Sequence, residues 1–130
     1  MGKYGTVAVS ATELLRRTRG TLPQGAWRTA AGEVFPGKEP AQKKACPRGA
    51  FLGLCEEGLV VGVAAGRYGA GAANKGYAVE AVRLLTEDRR LADSGPTSLW
   101  VRVMNGREKA ANHQMEVVLA LWARDLIAGG

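Results

Sequence analysis

Eighteen glycines and five prolines punctuate the 130 residues, and the segments between them carry apolar residues at helical spacing. Val7, Ala8, Ala11, Leu14 and Leu15 fall at i, i+1, i+4, i+7 and i+8, one face of a first helix. Arg16, Arg17 and Arg19 crowd its end, where cations suit the negative pole of the helix dipole, and Gly20 can close it. Pro23 suits the first turn of a second helix, where its missing N–H would have no partner anyway. Trp27, Ala30, Ala31 and Val34 supply that helix's stripe before Pro36-Gly37 stops it.

Pro47 sets a further boundary. It places Cys46 at a helix cap and itself at the first helical position, with Phe51, Leu54 and Cys55 on the inner face and Gly58 as terminator. The apolar, β-branched run Leu59-Val60-Val61-Gly62-Val63 predicts a short strand. The glycine-rich stretch from Ala64 to Gly76 has neither helical nor strand periodicity. Helical spacing resumes at Ala78, Ala81, Val82 and Leu85, and again at Leu99, Trp100, Val103 and Met104. Asn112 can cap a last helix carrying Met115, Val118, Leu119, Trp122 and Leu126. The expected fold is mainly α: one helical bundle over residues 1–130, with room for a small winged-helix-like β element. Trp27, Trp100 and Trp122 all sit on apolar stripes and read as core rather than as base-stacking platforms.

Composition limits the setting. Apolar residues make up 46% and charged residues 23%, the profile of a chain that folds around its own core. No apolar stretch approaches the roughly 20 residues of a membrane-spanning helix, so no membrane partner is expected. The two cysteines, Cys46 and Cys55, would lie about 13.5 Å apart along one helix and on opposite faces, too far for a disulfide. Two unpaired thiols and an N-terminus without an apolar signal core point to a cytoplasmic protein.

Charge is informative by position. Residues 1–48 hold nine Lys/Arg against Glu13, Glu33 and Glu39, whereas residues 49–130 hold nine of each sign. The whole excess of +6 therefore belongs to the first third, which favours a polyanionic partner such as DNA or RNA. The order helix, turn, helix, strand, glycine-rich loop has a mechanical counterpart. Cys55-Glu56-Glu57-Gly58-Leu59-Val60 resembles the junction between recognition helix and strand in winged-helix regulators, a likeness that spans residues 23–78. It implies Lys43, Lys44 and Arg48 at the start of a recognition element, with Arg67 and Lys75 on a wing, all meeting phosphates.

A second reading is enzymatic. A thiol at a helix N-terminus beside Lys43 and Lys44 would be activated as a thiolate, making Cys46 a nucleophile. His113, the only histidine, would be its base, with Asn112 or Gln114 as oxyanion donor. A third is a helical module that pairs with other proteins or with itself as a homo-oligomer. No metal or cofactor is expected. Three Cys/His side chains fall short of a four-ligand zinc site, and Gly71 to Gly76 lacks the gap and the Ser/Thr of a phosphate-binding P-loop.

The run from Lys43 to Leu59 (Lys43-Lys44-Ala45-Cys46-Pro47, then Ala50-Phe51-Leu52-Gly53-Leu54-Cys55-Glu56-Glu57-Gly58-Leu59) is one part of a wider pattern. Tyr4-Gly5 near the start and Gln114 to Trp122 near the end belong with it. Together they resemble a family of small bacterial proteins of unknown function. The resemblance implies a self-contained bacterial protein and assigns no functional residue.

Overall fold

The computed structural model describes residues 2–129. Its helices are α1 (Lys3–Arg17), α2 (Pro23–Val34), α3 (Glu39–Gln42), α4 (Ala45–Glu56), α5 (Ala72–Glu87), α6 (Gly95–Met104) and α7 (Gln114–Ala123), with a 3-10 turn (Arg89–Ser94) before α6. The fold is mainly helical, and the expected stripes face inward, although Leu119 and Trp122 of the last helix are half-buried rather than core. Val7, Ala8 and Ala11 of α1 are buried, as are Trp27, Ala30 and Ala31 of α2 and Leu99, Trp100, Val103 and Met104 of α6.

Two helices form the centre. Gly49 to Cys55 of α4 are all buried, and α7 buries Met115, Val117, Val118, Ala120 and Leu121. A helix apolar on every side has to sit inside others. Accordingly α7 packs on α1, α4, α5 and α6, and α4 packs on α5 and α7. Phe51 and Leu54 are completely buried, and truncating either to alanine should cost about 2–5 kcal/mol.

Glycine does more than punctuate here. A Cβ on Gly53 would lie 2.6 Å from the Lys75 Cα, and one on Gly49 would lie 3.0 Å from the Asn74 side chain. These two glycines, four apart on one face of α4, let the backbone of α5 approach where any side chain would hold it off. The same junction is closed by polar groups. Buried Gln114 accepts from the Asn112 amide at 2.6 Å and donates to Asn74 Oδ1 at 3.2 Å.

The winged-helix-like segment is not built among the described residues. Its strand is reduced to a single antiparallel bridge, Val60 with Ile127. Val61 N–H donates to Leu126 O and Ala128 N–H donates to Leu59 O, both at 2.9 Å. The apolar run thus pairs with the end of the chain rather than with a hairpin neighbour. Helix α5 begins at Ala72, so Asn74 and Lys75 are helical rather than part of a wing. The apolar stripe begins only at Ala78 because the first turn and a half of α5 is half-buried or exposed.

Three boundaries also move. Lys44 caps α4, which makes Pro47 the third helical residue, still within the turn whose amides lack partners. His113, at φ 68°, takes the cap position of α7 in place of Asn112. Leu126 lies beyond the end of α7, in the bridged segment.

The remaining loop, residues 62–71, is held by one carboxylate. Glu56 accepts from the amides of Tyr68 at 2.8 Å and Ala70 at 3.0 Å, and from the Lys75 ammonium at 3.1 Å. Those two amides, with Lys75 beside them, hold the Glu56 carboxyl down at about 2. The stability it contributes is complete above the ordinary carboxylate value and is lost as the pH falls towards the folded one.

Two outcomes follow. Gly53→Ala should destabilise by about 1–3 kcal/mol in urea unfolding, whereas Gly25→Ala and Gly32→Ala, where a Cβ meets nothing within 4 Å, should stabilise by up to about 1 kcal/mol. Acid titration of stability should show a loss between about pH 4.5 and about pH 2 that Glu56→Gln removes, the variant being less stable than the parent at neutral pH by about 1–3 kcal/mol.

Candidate functional site

The expected cations do not gather in one place. Lys75 is drawn onto α4, with its ammonium 3.1 Å from Glu56 and 2.9 Å from Glu57. Hydrogen bonds to Glu57 and then Glu56 hold it above the ordinary lysine range. Its charge is therefore answered within the fold. Arg67 is exposed on the loop tied down by Glu56 and forms no ion pair among the described residues. At the end of α1, the side-chain stem of Arg16 packs beneath Gly62, and Arg19 borders a shallow hollow with Leu22 and Tyr68.

Lys43 and Arg48 do meet. They line an open cleft of about 560 Å³ between α2, α3 and the start of α4, together with Trp27, Arg28, Glu39 and Gln42. Arg28 stands on the outer face of α2, next to buried Trp27. The short α3 is pinned from two sides. Tyr4 donates its hydroxyl proton to Ala41 O at 2.9 Å, and Gln42 Nε2 donates to Phe35 O at 2.7 Å. Lys43 pairs with Glu39 at 2.6 Å, but both side chains are more than two-thirds exposed, so the pair is weak. Glu39 is the one carboxylate in the lining, against three cations.

Two further features suit an anion. Helix α4 starts at the half-buried Lys44 with no side-chain cap and no acid in its first turn, leaving its amide pole unanswered between Lys43 and Arg48. The Trp27 Nε1–H is buried and has no hydrogen-bond partner among the described residues. Arg28 is the residue that sequence reasoning passed over. Its signal was a cation beside the inward Trp27, hence on the outer face of α2, but nothing local says that α3 folds back towards it.

The thiol reading fares differently at its two ends. Cys46 is half-buried in the first turn of α4 and its thiol makes no hydrogen bond. His113 keeps other company. Its ring lies 4.9 Å from that of Tyr4, and its Nδ1 lies 3.2 Å from Glu116 Oε2. Burial, with the negative charge of Glu116 behind it, pushes the Tyr4 phenol up. Gln114 Oε1 accepts from the Asn112 amide, and one N–H of its amide is directed to Asn74. Cys55 is a packing residue, its thiol pushed up to about 12 by burial and then by Glu56. Among the described residues no three His, Cys, Asp or Glu side chains converge as a metal site requires, and no helix is long and apolar enough to cross a membrane.

No curated protein and no solved structure matches the chain. A family model does: DUF6979, a family of unknown function, matches residues 1–128. The run from Lys43 to Leu59, which builds one wall of the cleft and the central helix α4, lies within that match. With nearly the whole chain accounted for, the protein belongs to this family of unknown function.

Proposed function

We propose that the protein binds nucleic acid through its phosphates, in the cleft between α2, α3 and the start of α4. The observation that carries this reading is the convergence of Arg28, Lys43 and Arg48 on one open cleft with only Glu39 against them. Arginine suits phosphate because its planar fork can donate two parallel hydrogen bonds. The uncapped start of α4 adds backbone donors between Lys43 and Arg48.

The mode of binding is set by burial. Residues Gly49 to Cys55 are inside the protein, so α4 has no face to lay in a major groove. Without α4 in a groove, the contacts this cleft offers are those that position a backbone and ignore sequence. The partner is therefore bound by charge and shape, as duplex or single strand.

Anisotropy titrations of labelled mixed-sequence oligonucleotides against salt test this directly. Three phosphate contacts predict that log K falls with log salt with a slope of about −2 to −3. Arg48→Glu and Arg28→Glu should each weaken binding to all sequences alike and reduce the slope by about 1. Lys75→Gln should leave the slope unchanged, because Glu56 and Glu57 already neutralise that charge. Absence of binding at low ionic strength, or slopes indifferent to Arg28 and Arg48, would remove the proposal.

A further inference from the structure

On the far side of α7 from the central helix α4 lies a cavity of a different character. It is an open hollow of about 590 Å³ lined by the 3-10 turn, the start of α6 and one stripe of α7, a size that admits a small organic molecule. Glu116, Leu119, Ala120 and Ala123 of α7 line it. Their spacing of three, four and seven puts a carboxylate at the head of an apolar stripe. Ala92, Pro96 and Trp122 complete the apolar walls.

Its polar groups are few and unbalanced. Among the described residues, Glu116 and Asp93 line the cavity against Arg89, in a protein of net charge +6. Glu116 Oε2 is buried and accepts no hydrogen bond among the described residues. His113 Nδ1 stands 3.2 Å away, at ion-pair distance but without the alignment of a hydrogen bond. Buried acceptors are rarely left without a donor, and a carboxylate is served best by a cationic one. The start of α1 comes close to this carboxylate: a Cβ on Gly2 would lie 2.5 Å from its oxygen.

The two ends of the cavity are unlike. At the Trp122 end the Arg89 guanidinium already lies over the indole, 5.2 Å from the ring centroid. That position is taken and is positive. Glu116 precedes Trp122 by six residues, about 9 Å along the helix axis. A bound cation is thus repelled from one end and attracted to the other, which fixes its direction.

We propose that this cavity binds a small organic amine, its ammonium donating to Glu116 and its apolar body lying along Leu119 towards Trp122. Asp93 at the rim adds attraction for the cation, and Arg89 excludes a second one from the indole. The site is separate from the cation-lined cleft and asks for ligands of opposite charge, so the two proposals stand or fall independently.

Phenethylamine, 2-phenylethanol and 3-phenylpropionate share an apolar body and differ in the charge of the head. Titrating each into the protein, with tryptophan fluorescence and amide chemical shifts as readouts, separates charge recognition from simple filling of the cavity. The amine should bind saturably and about tenfold or more tightly than the alcohol, with the carboxylate weakest and the shifts centred on residues 92–96 and 116–123. Glu116→Gln should bring amine and alcohol to equal affinity. Should that variant not fold, Ala123→Trp, at an exposed position in the lining, should close the cavity and abolish amine binding. Equal binding of amine and alcohol by the parent protein, preference for the carboxylate, amine binding unaffected by Ala123→Trp, or no saturable binding would each overturn the assignment.

Discussion

The close approach of α5 to α4 over Gly49 and Gly53 governs the rest of the molecule. With the Lys75 backbone set against Gly53, its side chain has little choice but to reach back to Glu56 and Glu57 at the end of α4. Glu56 in turn gathers the Tyr68 and Ala70 amides and so ties down the loop that leads into α5. On the other side, Asn74 beside Gly49 meets Gln114 at the head of α7. One backbone contact thereby connects a helix pair, an ion-pair group, a loop and the start of the last helix. A methyl group at Gly53 would disturb them all.

That packing also decides what the surface can offer. Covered by α5 and α7, α4 shows solvent little more than its two ends, and Lys43, Lys44 and Arg48 flank its start. The basic character of the first third of the chain is therefore delivered as a cleft beside α2 and α3 rather than as a reading helix. Charge is sorted by location. The cleft holds three cations and one acid, whereas the cavity beside α7 holds two acids and one cation. A local field of one sign attracts one class of ligand and repels the other.

How much could be read beforehand differs between elements. The stripes of α1, α2 and α6 and the breaks at Pro36-Gly37 and Gly58 were legible, since both depend on residues within a turn or two of each other. Leu59 to Val63 looked like a strand for sound local reasons, but a strand needs a neighbour, and the one available came from Leu126 to Ala128 at the other end of the chain. Lys75 read as a free cation on a loop. Its pairing with Glu56, nineteen residues away, required knowing that α5 starts early and lies on α4. Arg28 and Glu116 were missed for the converse reason. Each is an ordinary charged residue on an amphipathic helix, and only the arrival of α3, or of the 3-10 turn and α6, makes it part of a wall.

By itself, then, the order of residues determined that this chain would be helical, where most of its helices would lie, which faces they would bury and that its positive charge would be concentrated early. All of these are set by side-chain periodicity and backbone restrictions that act over a few residues. Tertiary structure alone decided which charges stay available and which hollows they line. An ion pair or a cavity wall is made by groups far apart in the chain, and its energy depends on the separation and burial that packing imposes.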